Sequence, residues 1–168
     1  MAVVTVSSTP VANADAKPVV KNSAKVAEGS LLNSVGSVAV ANGDSSTSVY
    51  RVVRIKSGCR VNSLTLVNDA VTGAAADIGL YQTAANGGAV VSQQFFAAAQ
   101  SIATASGGTA VAHLNLQKAT QITQRVWEVL GLARDPGIEY DIALTLTAGA
   151  TAAGSVALKC DFTQAGPG

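Results

Sequence analysis

Between Ser48 and Gln82 the chain alternates apolar and polar positions in three successive runs, SVYRVVRIK, RVNSLTLVN and AADIGLYQ. A period of two marks a β-strand, because successive side chains point to opposite faces of the pleat. Strict alternation places Val49, Arg51, Val53 and Ile55 on one face of the first run, and Tyr50, Val52, Arg54 and Lys56 on the other. In the second run it separates Val61, Ser63, Thr65 and Val67 from Asn62, Leu64, Leu66 and Asn68. Ser57-Gly58 and Thr72-Gly73 stand where the chain must reverse, and glycine reaches backbone angles that other residues avoid.

The same pattern continues on both sides. Ser37 to Ala41 reads as a short strand, followed by the turn Asn42-Gly43-Asp44. Beyond the loop Thr83 to Gly88 come Ala89-Val90-Val91 and the paired Phe95 and Phe96, then a polar connection from Gln100 to Thr109 leading into the strand TAVAHLNL. From Thr120 to Leu130 the period changes: Ile122, Val126, Val129 and Leu130 share one helical face with Trp127 at its edge, Thr120 serving as N-cap and Gly131 as the stop. Two long strands, IEYDIALTLT and GSVALKCDF, close the chain around an Ala/Gly-rich hairpin loop at Gly149. Many strands at short spacing with one inserted helix predict a mainly β fold, a jelly roll or β-sandwich.

Residues 1–35 read differently from residues 36–168, which form the jelly-roll β-sandwich domain of this reading. Pro10 and Pro18 interrupt regular structure, yet Val19, Val20, Val26, Leu31 and Leu32 are apolar enough to need a partner surface. The stretch is therefore either an extended N-terminal arm that orders on a neighbouring subunit or a first strand of the same domain.

Composition adds one constraint. Charged residues are 12% of the chain, against about 25% in ordinary globular domains. Such a surface is covered by other protein, or is a free surface rich in Ser, Thr, Asn and Gln; apolar patches favour the first. The net charge of +1 is scattered rather than clustered, so nucleic acid is not an expected partner. No apolar run approaches the roughly 20 residues of a membrane span, and the Ala-Asn-Ala near the N-terminus lacks the basic and apolar regions of a secretion signal. Cys59 and Cys160 are too few for a disulfide framework or metal site; they are two buried thiols or one bridge.

Candidate chemistry is sparse. His113 is the sole histidine and no nucleophile motif accompanies it. Asp69, Asp77, Glu128, Asp135, Glu139, Asp141 and Asp161 are dispersed, and only convergence of two in one cleft would support glycoside hydrolysis. Aromatic residues are 4%, poor material for sugar-binding platforms. No cofactor, metal or enzymatic activity is expected.

The segments SVYRVVRIKSGCRVNSLTLVNDA, AADIGLYQTAANGGAVV and VWEVLGLARDPGIEYDIALTLTAGATAAGSVALKCDF together resemble the small jelly-roll cement, or decoration, proteins of tailed-bacteriophage capsids. The resemblance spans Ser48 to Phe162 and carries no functional residue over. It implies a virion protein, made in the host cytoplasm, that sits on the capsid exterior and bridges major capsid protein subunits as a homodimer or homotrimer. The rival readings are a host-surface or carbohydrate-binding module of a phage tail or spike and, more remotely, a β-sandwich hydrolase.

Overall fold

The computed structural model describes residues 7–22, 30–110 and 121–164. Among the described residues eight strands build two antiparallel sheets: β1 (Leu31–Val40), β2 (Val49–Lys56), β3 (Cys59–Asn68), β4 (Ala75–Gln82), β5 (Val90–Ser101), β6 (Ser106–Ala110), β7 (Glu139–Ala148) and β8 (Gly154–Gln164). One sheet runs β1-β8-β3-β6 and the other β2-β7-β4-β5. This is a β-sandwich with the strand order of an eight-stranded jelly roll.

The chain passes from one sheet to the other at nearly every turn. β2, β3 and β4 follow one another in sequence but lie in alternate sheets, and β7 and β8 are likewise split between them. The loop at Gly149 is thus a crossover between layers and not the hairpin that its composition suggests. Between the sheets lies one core, including Val53, Ile55, Leu64, Leu66, Ile78, Leu80, Ile142, Leu144 and Leu158. Phe95 and Phe96 add an edge-to-face pair with ring centroids 4.9 Å apart, an arrangement that suits the ring quadrupoles.

Two bulges break the strict alternation of the first two runs. β2 shifts register against β7 between Arg51 and Val53, so Val53 and Ile55 face the core while Arg51 and Arg54 both face outward. An extra residue reverses the phase of everything before it. β3 shifts against β8 between Val61 and Ser63, which places Cys59 and Val61 in the core together with Leu64 and Leu66.

The helix expected from Thr120 to Leu130 is reduced to α2 (Val126–Val129), preceded by a turn at residues 121–123. Arg125 takes the N-cap position, its backbone N–H donating to the Glu128 carboxylate at 2.7 Å. Val126 is buried in the core, Val129 and Leu130 pack against it partly buried, Trp127 is half-buried and Ile122 is exposed. Gly131, at φ +72°, ends the helix as expected. The stretch from Gln100 to Thr109, polar enough to suggest a connection, instead holds the end of β5 and most of β6, because β4 and β3 offer them backbone partners.

Loop 121–138 is fastened to the β2–β3 turn. The Trp127 N–H donates to the Ser57 carbonyl at 3.2 Å, the Ser57 N–H to the Ile138 carbonyl at 2.8 Å and the Ser57 hydroxyl to Asp135 at 2.5 Å. A Cβ at Gly58 would stand 2.7 Å from an Asp135 carboxylate oxygen, so a larger residue there would displace the Asp135 side chain.

Candidate interaction surface

Over β4 and β7 the outer face of the β2-β7-β4-β5 sheet is closed by its own chain. Asp77, Gly79, Tyr81, Asp141, Ala143 and Thr145 are all buried. β5 crosses over β4 at Gly79, where a Cβ would meet the Gln93 carbonyl oxygen at 2.2 Å and that of Ser92 at 2.3 Å. The crossing segment satisfies the buried Asp77 carboxylate: Gln93 donates at 2.8 Å, Gln94 at 3.1 Å and the Ala99 N–H at 2.8 Å.

Asp141 centres the polar part of this face. It accepts from Arg54 Nε at 2.7 Å and from Arg51 Nη1 at 3.0 Å, and Glu139 lies 3.8 Å from Arg54. Arg51 also donates to the carbonyls of Gln82 and Gly88 at 2.5 and 2.7 Å and stands 5.6 Å from the centre of the Tyr81 ring. One side chain thus ties the β4–β5 loop to β2 and β7. Burial pushes the Asp141 carboxyl up, but the hydrogen bonds and charges of Arg54 and Arg51 outweigh it and hold the group below the usual carboxylate range.

The remaining acids that drew attention in the sequence are also anchors. Asp69 accepts from the Ser155 N–H, Asp135 from Ser57 and Gly137, and Asp161 from Ser63 at 2.6 Å and Asn33 at 2.5 Å. Glu139 and Asp141 do meet, but at Arg54, a cation that holds both. Among the described residues no three His, Cys, Asp or Glu side chains converge, and no helix is long and apolar enough to cross a membrane. His113 and Thr120 lie outside the described residues. Cys59 and Cys160 are buried and free. Cys59 pairs with Gln164 and Cys160 with Leu64, an offset of four residues along β8, well beyond the ~7 Å Cα separation that a disulfide spans. Burial raises both thiols, Cys160 to about 12.

The β1-β8-β3-β6 sheet has an open outer face. Leu31, Asn33, Val35, Ser37 and Ala39 of β1 alternate outward and are exposed, with Val67 of β3 two strands away. Leu31 and Val35 are 65% and 64% exposed, so large apolar side chains stand in water along the strand at the sheet's edge. Leu32, 41% exposed, lines a shallow groove with Phe162, Arg54 and Lys56 at one end of the sandwich.

Of the five apolar residues assigned to an arm, Leu31 and Leu32 therefore stand in β1, and Val26 lies outside the described residues. Val19 and Val20 are 70% and 50% exposed. They follow α1 (Thr9–Asp15), which buries no residue. The described N-terminal residues close on themselves: Asn13 donates to Asn22 at 2.8 Å, Asn22 to the Pro10 carbonyl at 3.1 Å and the Val20 N–H to the Asn13 carbonyl at 3.0 Å. Val35 escapes a sequence reading that starts the strand at Ser37, because Gly36 interrupts the apolar pattern; the signal is the alternation of LNSVGSVAV once Gly36 is read as an inward position.

Two solved structures share this fold. A chain of "Capsid of Ralstonia phage GP4" superposes with a TM-score of 0.58 at 12% identity, over 83% of this chain and 87% of that one. A chain of "Cyanophage Pam1 capsid asymmetric unit" superposes with a TM-score of 0.57 at 16% identity, over 81% and 86%. No family model and no curated protein matches the sequence. At such identities the likeness is one of fold.

Proposed function

We propose that this chain is a structural, non-enzymatic virion protein that binds the outer surface of an icosahedral phage capsid and cements neighbouring major capsid protein subunits. The observation that carries the reading is the jelly roll itself, matched over 81% and 83% of the chain by structures that are both phage capsids. The exposed apolar residues support it. Val19 and Val20 in the N-terminal stretch and Leu31 and Leu32 at the start of β1 are exposed, and on this reading they supply the contact surface together with Val26. Burial of apolar area stabilises by about 25 cal/mol per Å². Many modest contacts repeated by symmetry then hold a shell without one tight site. On this reading the protein acts as a homodimer or homotrimer, and its buried acids serve to stiffen the sandwich.

The test is to add the purified protein to heads assembled without it and to measure the temperature at which they release DNA. Saturable binding to the outside with a higher release temperature is expected. Absence of binding, or binding with an unchanged release temperature, would overturn the cementing role.

A further inference from the structure

A sheet edge presents unpaired N–H and C=O groups, and proteins blunt such edges with charge, proline, bulges or short strands. Three of the four edges of this sandwich are blunted. β2 carries Arg51, Arg54 and Lys56 and a bulge; β5 is broken by three register shifts against β4; β6 contains Gly107-Gly108 and a register shift against β3. The fourth edge, β1, has none of these devices and, among the described residues, pairs with β8 alone; the Val52 carbonyl of the β2 bulge approaches it on its inner side at Gly36. Its ten residues, LLNSVGSVAV, contain no charge and no proline and run in unbroken register with β8.

The sequence of β1 is also self-complementary. Reversed about Val35, its outward positions place Leu31 against Ala39, Asn33 against Ser37 and Val35 against its own copy; its inward positions place Leu32 against Val38 and Ser34 against Gly36. Across Leu31–Ala39 apolar meets apolar and small polar meets small polar except at Ser34–Gly36, where both are small; Val40 falls beyond this symmetric stretch, opposite Ser30. We propose that β1 is a self-association strand: a second copy of this chain pairs antiparallel with its free edge about a two-fold axis at Val35. The pair joins two four-stranded sheets into one of eight and closes both edges. The outward face then carries an apolar row of Leu31, Val35 and Ala39 from each copy, spanning the axis.

This inference concerns the free protein and stands or falls apart from capsid attachment. The full chain should sediment at twice its 16.7 kDa at micromolar concentration. Val35→Glu places two carboxylates opposite each other across the axis, with Cβ atoms about 5 Å apart. Within one copy the new Glu faces Lys159 on β8, so the fold is not penalised. The variant should keep the wild-type circular dichroism spectrum and lose self-association by about tenfold or more, as opposed like charges do at an interface. Val35→Cys should crosslink to a covalent dimer on mild oxidation, whereas Val67→Cys, exposed on the same face but two strands inward, should not. A wild-type mass of one chain or of three, a dimer indifferent to Val35→Glu, or a dimer in which Val35→Cys fails to crosslink would each overturn the proposal.

Discussion

Gly36 of β1 faces the carbonyl of Val52 on β2 so closely that a Cβ at Gly36 would stand 2.0 Å from that oxygen. Val52 is the extra residue of the β2 bulge, so the bulge presses its carbonyl into the space that a missing side chain leaves in the opposite sheet. The requirement is steric, since Gly36 is not among the residues at positive φ. Gly36→Ala should destabilise the fold by about 1–3 kcal/mol, as overpacking does, read as a lower urea midpoint. An unchanged midpoint would mean that the sheets do not meet there.

Asp141 makes stability depend on pH. Its folded carboxyl titrates below the ordinary value of 3.8, so its contribution is whole above that value and drains away as pH falls through the folded one. Asp161, held down by Ser63 and Asn33, and Asp44, held down by Tyr50 and the Ala41 N–H, titrate in the same direction. Asp141→Asn should cost about 1–3 kcal/mol at neutral pH, a range that allows for the exposure of both arginines. The gap from wild type should narrow below about pH 4 in urea titrations. A gap constant with pH would assign the loss to packing rather than charge.

Both thiols should be inert in the native state. With Cys59 and Cys160 buried and their ionisation suppressed, a thiol reagent near pH 8 should label neither until the chain unfolds, and reductant should leave the melting temperature unchanged. Rapid labelling of folded protein, or a melting temperature lowered by reductant, would contradict the structure.

Truncation separates the N-terminal stretch from the sandwich. Removing residues 1–30 leaves β1 intact and should yield a folded domain with a native spectrum that no longer binds heads. Removing residues 1–35 also deletes the pairing of Leu31 through Val35 with β8 and should lower the melting temperature sharply. Full head binding by the shorter deletion would move the contact surface off Val19, Val20 and Val26.

Most strands are legible in the sequence because alternation reports burial on one face: β2, β3, β4, β7 and β8 all stand where their patterns put them. What period two does not report is which layer a strand joins, so the split of β2 and β3, and of β7 and β8, between sheets appears only in three dimensions. The bulge at Val52 is invisible for a related reason, because Val52 and Val53 are equally apolar and nothing local marks the extra residue. The consequence reaches the surface, since the bulge brings Arg51 and Arg54 to one side around Asp141. The proposed interaction surface is legible in part. Leu31 and Leu32 drew attention as apolar residues without an evident partner, but that they belong to an unblunted edge strand with Val35 depends on β8, which lies more than a hundred residues away.

Cryo-electron microscopy of intact virions would show outright whether the sandwich sits on the shell. Density for this sandwich is expected on the outer surface of the shell, in contact with at least two major capsid protein subunits through the β1 end and the N-terminal stretch. Density confined to the tail or the inside of the shell, or purified heads that lack the chain altogether, would contradict the cementing role.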